Sequence, residues 1–150
     1  MRKRNIMGDR LADQGRILNR EVFFQLLDLE VKRARRYQNF FSLLIMRLRR
    51  LTGGLESGAP QGCYQKLCGL LSEELRANDI LGALDRDRIV ALLPYADGIA
   101  VDSVKTRFEG NLRYFSFYDE GFELEMERFC FPTDGADTGD LIQRLTGAQS

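Results

Sequence analysis

The sequence predicts one domain of mixed α/β (α+β) class, a single sheet flanked by helices. Three observations carry this. Apolar residues recur at helical spacing in four segments, short apolar runs of strand length lie between them, and two places read as strand hairpins. The 150 residues are enough for one real core and too few for two ordinary ones. A content of 44% hydrophobic and 29% charged residues, with a mean hydropathy of -0.29, is that of a soluble globular chain.

Residues 1–14 begin with Met1, Arg2, Lys3 and Arg4 and show no apolar period, so they read as a tail or connector, with the domain over 15–150. Asn19 offers an N-cap to a helix in which Val22, Phe23, Leu26, Leu27, Val31 and Ala34 recur, running to about Tyr37. The block from Phe40 to Leu48 is bulky, apolar and short, and predicts a strand buried on both faces. Gly53, Gly54, Gly58 and Pro60 mark a loop. Tyr64, Leu67, Cys68, Leu71 and Leu75 then form one stripe of a second helix, with Arg76 at its end.

Ile80 to Leu84 and Ile89 to Leu93, separated by Asp85, Arg86, Asp87 and Arg88, predict a β-hairpin with a charged tip, closed by Pro94. Asp97 can cap a third helix carrying Val101, Val104, Phe108 and Leu112. A second hairpin is expected from Tyr114 to Tyr118, a turn at Asp119 to Gly121, and the alternating Phe122, Leu124 and Met126. A short last helix after Asp137 buries Leu141, Ile142 and Leu145.

Composition excludes several functions. Twenty-two cations balance 22 anions, so no global field draws in a nucleic acid polymer or an anionic membrane. The longest apolar run is far below spanning length and nothing resembles a signal peptide, so a cytoplasmic protein without membrane insertion is expected. The three cysteines, Cys63, Cys68 and Cys130, form no CxxC pair, and there is no His, which argues against a zinc site or a His-based triad. Of the cations 18 are Arg, a bias that suits forked recognition of phosphates and guanine edges and that a GC-rich genome also produces.

Four segments, in order and at the right spacing, resemble the GGDEF (diguanylate cyclase-like) domain over about residues 15–146. LNREVF at 18–23 is similar to the family's LxNRRxF, and EVKRARRYQNFFSLLIMRL at 30–48 to its E..RARR....SLL.LDID. LRANDILGALDRDRIVALLP at 75–94 falls without a gap on LRxxD.....GGDEF..LLP, and FCFPTDGADTGDLI at 129–142 resembles GVA.YP.DG.....LL. The resemblance implies a nucleotidyl cyclase-like fold with a central, mainly antiparallel sheet. LIQRLTGAQS stops where the family continues into a longer final helix, which points to a shortened domain.

The resemblance also implies that catalysis is lost. Active members hold magnesium on the first Asp of LDID and the fourth residue of GGDEF, positions that fall on Arg47 and Arg88. A guanidinium cannot ligate a hard cation. The signature as a whole falls on Asp85, Arg86, Asp87, Arg88 and Ile89, where side chains replace the paired glycines that let the backbone approach a nucleotide. GAPQGCYQ at 58–65 is no counterpart of GHxxGD. No cyclase activity, no catalytic residue and no magnesium or other cofactor is expected. Read from the residues alone, Asp85 to Arg88 is a solvated turn of alternating charge.

The family's product-inhibition site, an RxxD five residues ahead of GGDEF, falls on Arg76 and Asp79. The motif alone means little, because with 18 Arg and 12 Asp a second copy occurs at Arg10 to Asp13 in the tail. Its register with the hairpin gives the first copy weight. So do Arg107, on the family's Arg from the helix after GGDEF, and Arg33, on the Arg that a neighbouring domain contributes in some members. Arg forks grip the O6 and N7 edge of guanine, and a carboxylate accepts from its N1 and N2 donors. The implied function is a cyclic di-GMP receptor, with a ligand-bridged homodimer and an unidentified protein effector as partners. The plainer alternatives are a local ion pair for Arg76 and Asp79, and a solvated face for Arg33 in the run Lys32 to Arg36. The competing function is a nucleotide-independent interaction or dimerisation module. GTP bound in the old active site is disfavoured by Arg47, Asp85, Arg86 and Arg88.

Overall fold

The first helical stripe becomes α1 (Arg20–Tyr37), and its start is set by Asn19, whose side chain accepts from the Val22 N–H at 2.9 Å. The helix ends at Gln38, which turns left-handed (φ 57°) while its N–H reaches the Ala34 carbonyl. The computed structural model describes residues 17–50, 61–85, 87–112 and 121–147. The expected N-terminal tail, the glycine-rich loop, Arg86 and the segment from Tyr114 to Tyr118 lie outside the described residues.

Around α1 the order is β1 (Ile17–Leu18), β2 (Phe41–Arg50), α2 (Gln61–Glu74), β3 (Ile80–Ala83), β4 (Arg88–Pro94), α3 (Gly98–Leu112), β5 (Phe122–Phe131) and α4 (Thr138–Gly147). The sheet runs β1-β3-β4-β2-β5, antiparallel throughout except for the parallel pair β1 and β3. The mixed class and the mainly antiparallel sheet are as expected. Leu18, just before the Asn19 cap, pairs with Gly82 as a strand residue that the sequence reading did not expect. Two residues are too few to show a period of two, so β1 carries no signal in the sequence.

β2 is an interior strand, between β4 and β5, and buried on both faces, which explains its unbroken apolar run. Its even-numbered residues Leu44, Met46 and Leu48 face α2 and α3, packing on Leu67, Leu71, Val101 and Phe108. Leu43 and Ile45 face α1 and α4, against Phe23, Leu27, Leu141 and Leu145. Gly82 is required by this second layer, because a Cβ there would lie 2.5 Å from the Phe23 ring. β5 runs past the expected alternation to Phe131, whose ring stacks on Phe41 at 5.0 Å. Capping by Asp97 and Asp137 starts α3 and α4.

A cleft at the end of the sheet

Between α2 and β3 the chain makes a tight turn over Arg76 to Asp79. The Asp79 N–H donates to the Arg76 carbonyl at 3.1 Å, and the Asp79 carboxylate accepts from the Arg76 N–H at 2.9 Å. Two residues must separate Arg from Asp for this closure. The turn leaves Asp79 only 7% exposed, whereas Arg76 is exposed. The pair therefore begins with a side-chain to backbone bond that the reading as a plain ion pair did not contain.

Arg76, Asp79 and Arg107 line one cleft of about 470 Å³, floored by Leu75, Leu93, Ala96 and Ala100 and edged by Glu74. This volume lies within the roughly 300–1,000 Å³ of small-molecule sites. Arg107 reaches the cleft from α3, and its Nε donates to Glu74 at 3.0 Å. Glu74 went unnoticed in the sequence because only the packing of α2 beside α3 brings it to Arg107. The arrangement offers two guanidiniums and a carboxylate above an apolar floor.

Arg33 does not line this cleft. It stands on α1, on the other face of the sheet, where it pairs with Glu30 at 2.9 Å and lies over the Tyr95 ring at 5.7 Å. The hydrogen bond and charge of Glu30 raise its pKa. Tyr95 belongs to the β4–α3 connection, next to Ala96 of the cleft floor.

The hairpin tip corrects the expectation of a solvated turn. Arg88 is 4% exposed and hydrogen-bonded through Nε to Asp85 and through Nη1 to the Leu145 carbonyl, both at 2.9 Å. It is a cross-strand neighbour of Arg47, a juxtaposition of like charges that costs stability unless each is paired. Asp85 pairs with Arg88, and Asp87 lies 3.8 Å from Arg47. Burial acts to raise Asp85, but the hydrogen bonds from Arg88 and Asp87, with the charge of Arg88, outweigh it and lower the pKa. Asp87 is pushed up by burial and by Asp85, against the pull of Arg47. These side chains do not fit a divalent cation, since Arg88 already binds Asp85 and the Arg47 guanidinium puts positive charge beside Asp87. Among the described residues no three carboxylate, Cys or His side chains cluster as a metal site, and no helix is long and apolar enough to cross a membrane.

A solved diguanylate cyclase protein of Thermotoga maritima superposes with a TM-score of 0.70 at 15% identity, covering 88% of this chain and 95% of that one. The fold is that of a GGDEF domain. The FimX GGDEF domain of Pseudomonas aeruginosa gives a TM-score of 0.65 at 16% identity over 87% of this chain and 85% of its own. The DgcB GGDEF domain of Caulobacter crescentus, solved in complex with c-di-GMP, gives 0.65 at 11% identity over 88% and 80%. No protein-family model matches the sequence, and no curated protein matches it.

Proposed function

We propose that this GGDEF-fold chain is a catalytically silent receptor for cyclic di-GMP, held by Arg76, Asp79 and Arg107. The observation that carries the reading is the convergence of these three side chains, two from the turn Arg76 to Asp79 and one from α3, on one cleft. One guanine edge is gripped by an Arg fork, Asp79 accepts from the guanine donors, and the second Arg neutralises a phosphate. That a GGDEF domain of this fold has been solved with c-di-GMP supports the choice of ligand. Catalytic silence rests on Arg47 and Arg88, which stand beside Asp87 and bind Asp85 respectively and put positive charge where the resemblance implies magnesium.

Titration calorimetry with cyclic di-GMP tests the reading. The wild type binds, and Arg76→Ala weakens binding by about one to two decades, the loss of a bidentate guanine contact. Absence of heat with the wild type, or equal affinities for both proteins, overturns it. Incubation with GTP and magnesium yields no cyclic di-GMP, and formation of product refutes the silent site.

A further inference from the structure

Among the described residues six large apolar side chains stand exposed, and five of them lie on one flank of α1 or beyond its C-terminal end: Val22, Leu29, Tyr37, Phe40 and Tyr95. A single exposed apolar residue is ordinary, whereas such residues gathered in one patch mark a surface that another molecule covers. Val22, Leu26, Leu29 and Arg33 follow one another at intervals of four, three and four, the spacing of a helix seam that packs on a second helix. Tyr37 extends the same flank by one turn. Leu29 is 60% exposed and Tyr37 62%, so no described element of this chain covers the seam.

Tyr95 continues the flank beyond Arg33. It follows Pro94 in a turn whose Ala96 N–H points to the Leu93 carbonyl at 3.4 Å, and its φ of 61° is a left-handed value that such a turn gives to glycine by preference. The Tyr95 N–H donates to the Phe40 carbonyl at 2.9 Å, the two rings meet edge-on at 6.4 Å, and the Arg33 guanidinium lies over the Tyr95 ring. The ring is therefore fixed in place yet 54% exposed.

The charges beside the seam say what covers it. Glu21, Gln25, Asp28, Lys32 and Arg36 form the next row of α1, acidic at its start and basic at its end. From Arg20 to Glu30 the helix carries three anions and one cation, and from Val31 to Tyr37 four cations and no anion. A parallel copy of α1 would set like charge beside like. A reversed copy sets each half against its opposite and also opposes the two helix dipoles. The pair Lys32 to Asp28 at 2.9 Å is solvent-exposed and offers little resistance to this exchange.

We propose that α1 docks antiparallel on α1 of a second copy, centred on Leu29, in a two-fold dimer that needs no nucleotide. Leu29 meets its own counterpart, Val22 and Leu26 pack toward the C-terminal half of the other helix, and Glu21 lies beside Arg36 of the second copy, twice by symmetry. The contact does not involve the cleft of Arg76, Asp79 and Arg107, which opens on the α2 and α3 side of the sheet.

Sedimentation velocity without nucleotide, over a series of protein concentrations, tests the contact. The wild type and Arg76→Ala dimerise alike. Leu29→Glu sets two carboxylates face to face at the dyad and weakens the dimer by about tenfold or more. Glu21→Arg and Arg36→Glu each weaken it, and the double variant recovers it, because the reversed pair meets again across the two copies. The double variant carries both costs to the helix itself, so its recovery reads the contact and not the fold. A wild type that stays monomeric at every concentration overturns the proposal, as does a dimer that Leu29→Glu leaves unchanged. Failure of the double variant to regain what the single variants lose refutes the antiparallel register. Dimers that form only when cyclic di-GMP is added also overturn the proposal, since the ligand has no place in this contact.

Discussion

The Arg88 guanidinium donates to the backbone carbonyl of Leu145 at 2.9 Å and so ties the β3–β4 hairpin to the last turn of α4. Carbonyls in a final helical turn have no intrahelical partner, and a cation there also answers the negative end of the helix dipole. Arg88→Ala should lower the free energy of unfolding by about 1.5 to 3 kcal/mol, the range for hydrogen bonds to charged groups. Arg88→Glu should cost more, since it sets a carboxylate against both Asp85 and the helix end. Urea unfolding of the two variants checks the order. Placing a carboxylate at this position therefore breaks the fold's own staple.

Asp87 gives a pH dependence of known sign. Its pKa is raised by burial and by Asp85, so the folded state favours the protonated carboxyl. That contribution is present below the unfolded value of about 3.9 and is lost as pH rises through the folded pKa. At pH 7 the ionised carboxylate is a net liability. Asp87→Asn should unfold at a higher urea concentration than wild type at pH 7, with the gap closing as pH falls below about 4. Asp85 has the opposite sign, because Arg88 lowers its pKa and its support fades on acidification. A gap that widens in acid would show that Arg47, not burial, governs Asp87.

Gly82 sits under the Phe23 ring with no room for a methyl group. The contact involves Cβ and Cγ of a fully buried side chain, so α1 itself must shift to relieve it. Gly82→Ala should destabilise the domain by about 1 to 3 kcal/mol, the usual effect of overpacking. Thermal unfolding measures it, and the paired change Phe23→Leu should recover part of the loss in Gly82→Ala.

What the sequence made legible follows from physical range. Helix stripes and the apolar run Phe40 to Leu48 are signals several residues long, so α1, β2, α2 and α3 emerged near their observed limits. β1 is defined only by its partner β3 and left no pattern. The turn Arg76 to Asp79 is local, so its register could be read. The burial of Arg88 depends on α4, 57 residues onward, and a charged position between Asp87 and Ile89 looks solvated until that helix packs on it. Tyr95 likewise reads as an ordinary residue after Pro94, because a positive φ leaves no trace in residue identity when the residue is neither Gly nor Asn.

Glu74 bears on ligand affinity in a direction opposite to the other cleft residues. Its carboxylate holds Arg107 Nε at 3.0 Å at the edge of the cleft, with both side chains partly exposed. A phosphate entering the cleft must compete for that guanidinium, and it also meets the Glu74 charge. Glu74→Gln removes the charge and keeps the shape of the side chain. An exposed ion pair is worth about 0.2 to 1 kcal/mol, so its release should tighten cyclic di-GMP binding by up to about fivefold. The gain should shrink in high salt, where the competing pair is already screened. Calorimetry at two salt concentrations measures both effects. Weaker binding by Glu74→Gln would mean that Glu74 orients Arg107 for the ligand instead of withholding it.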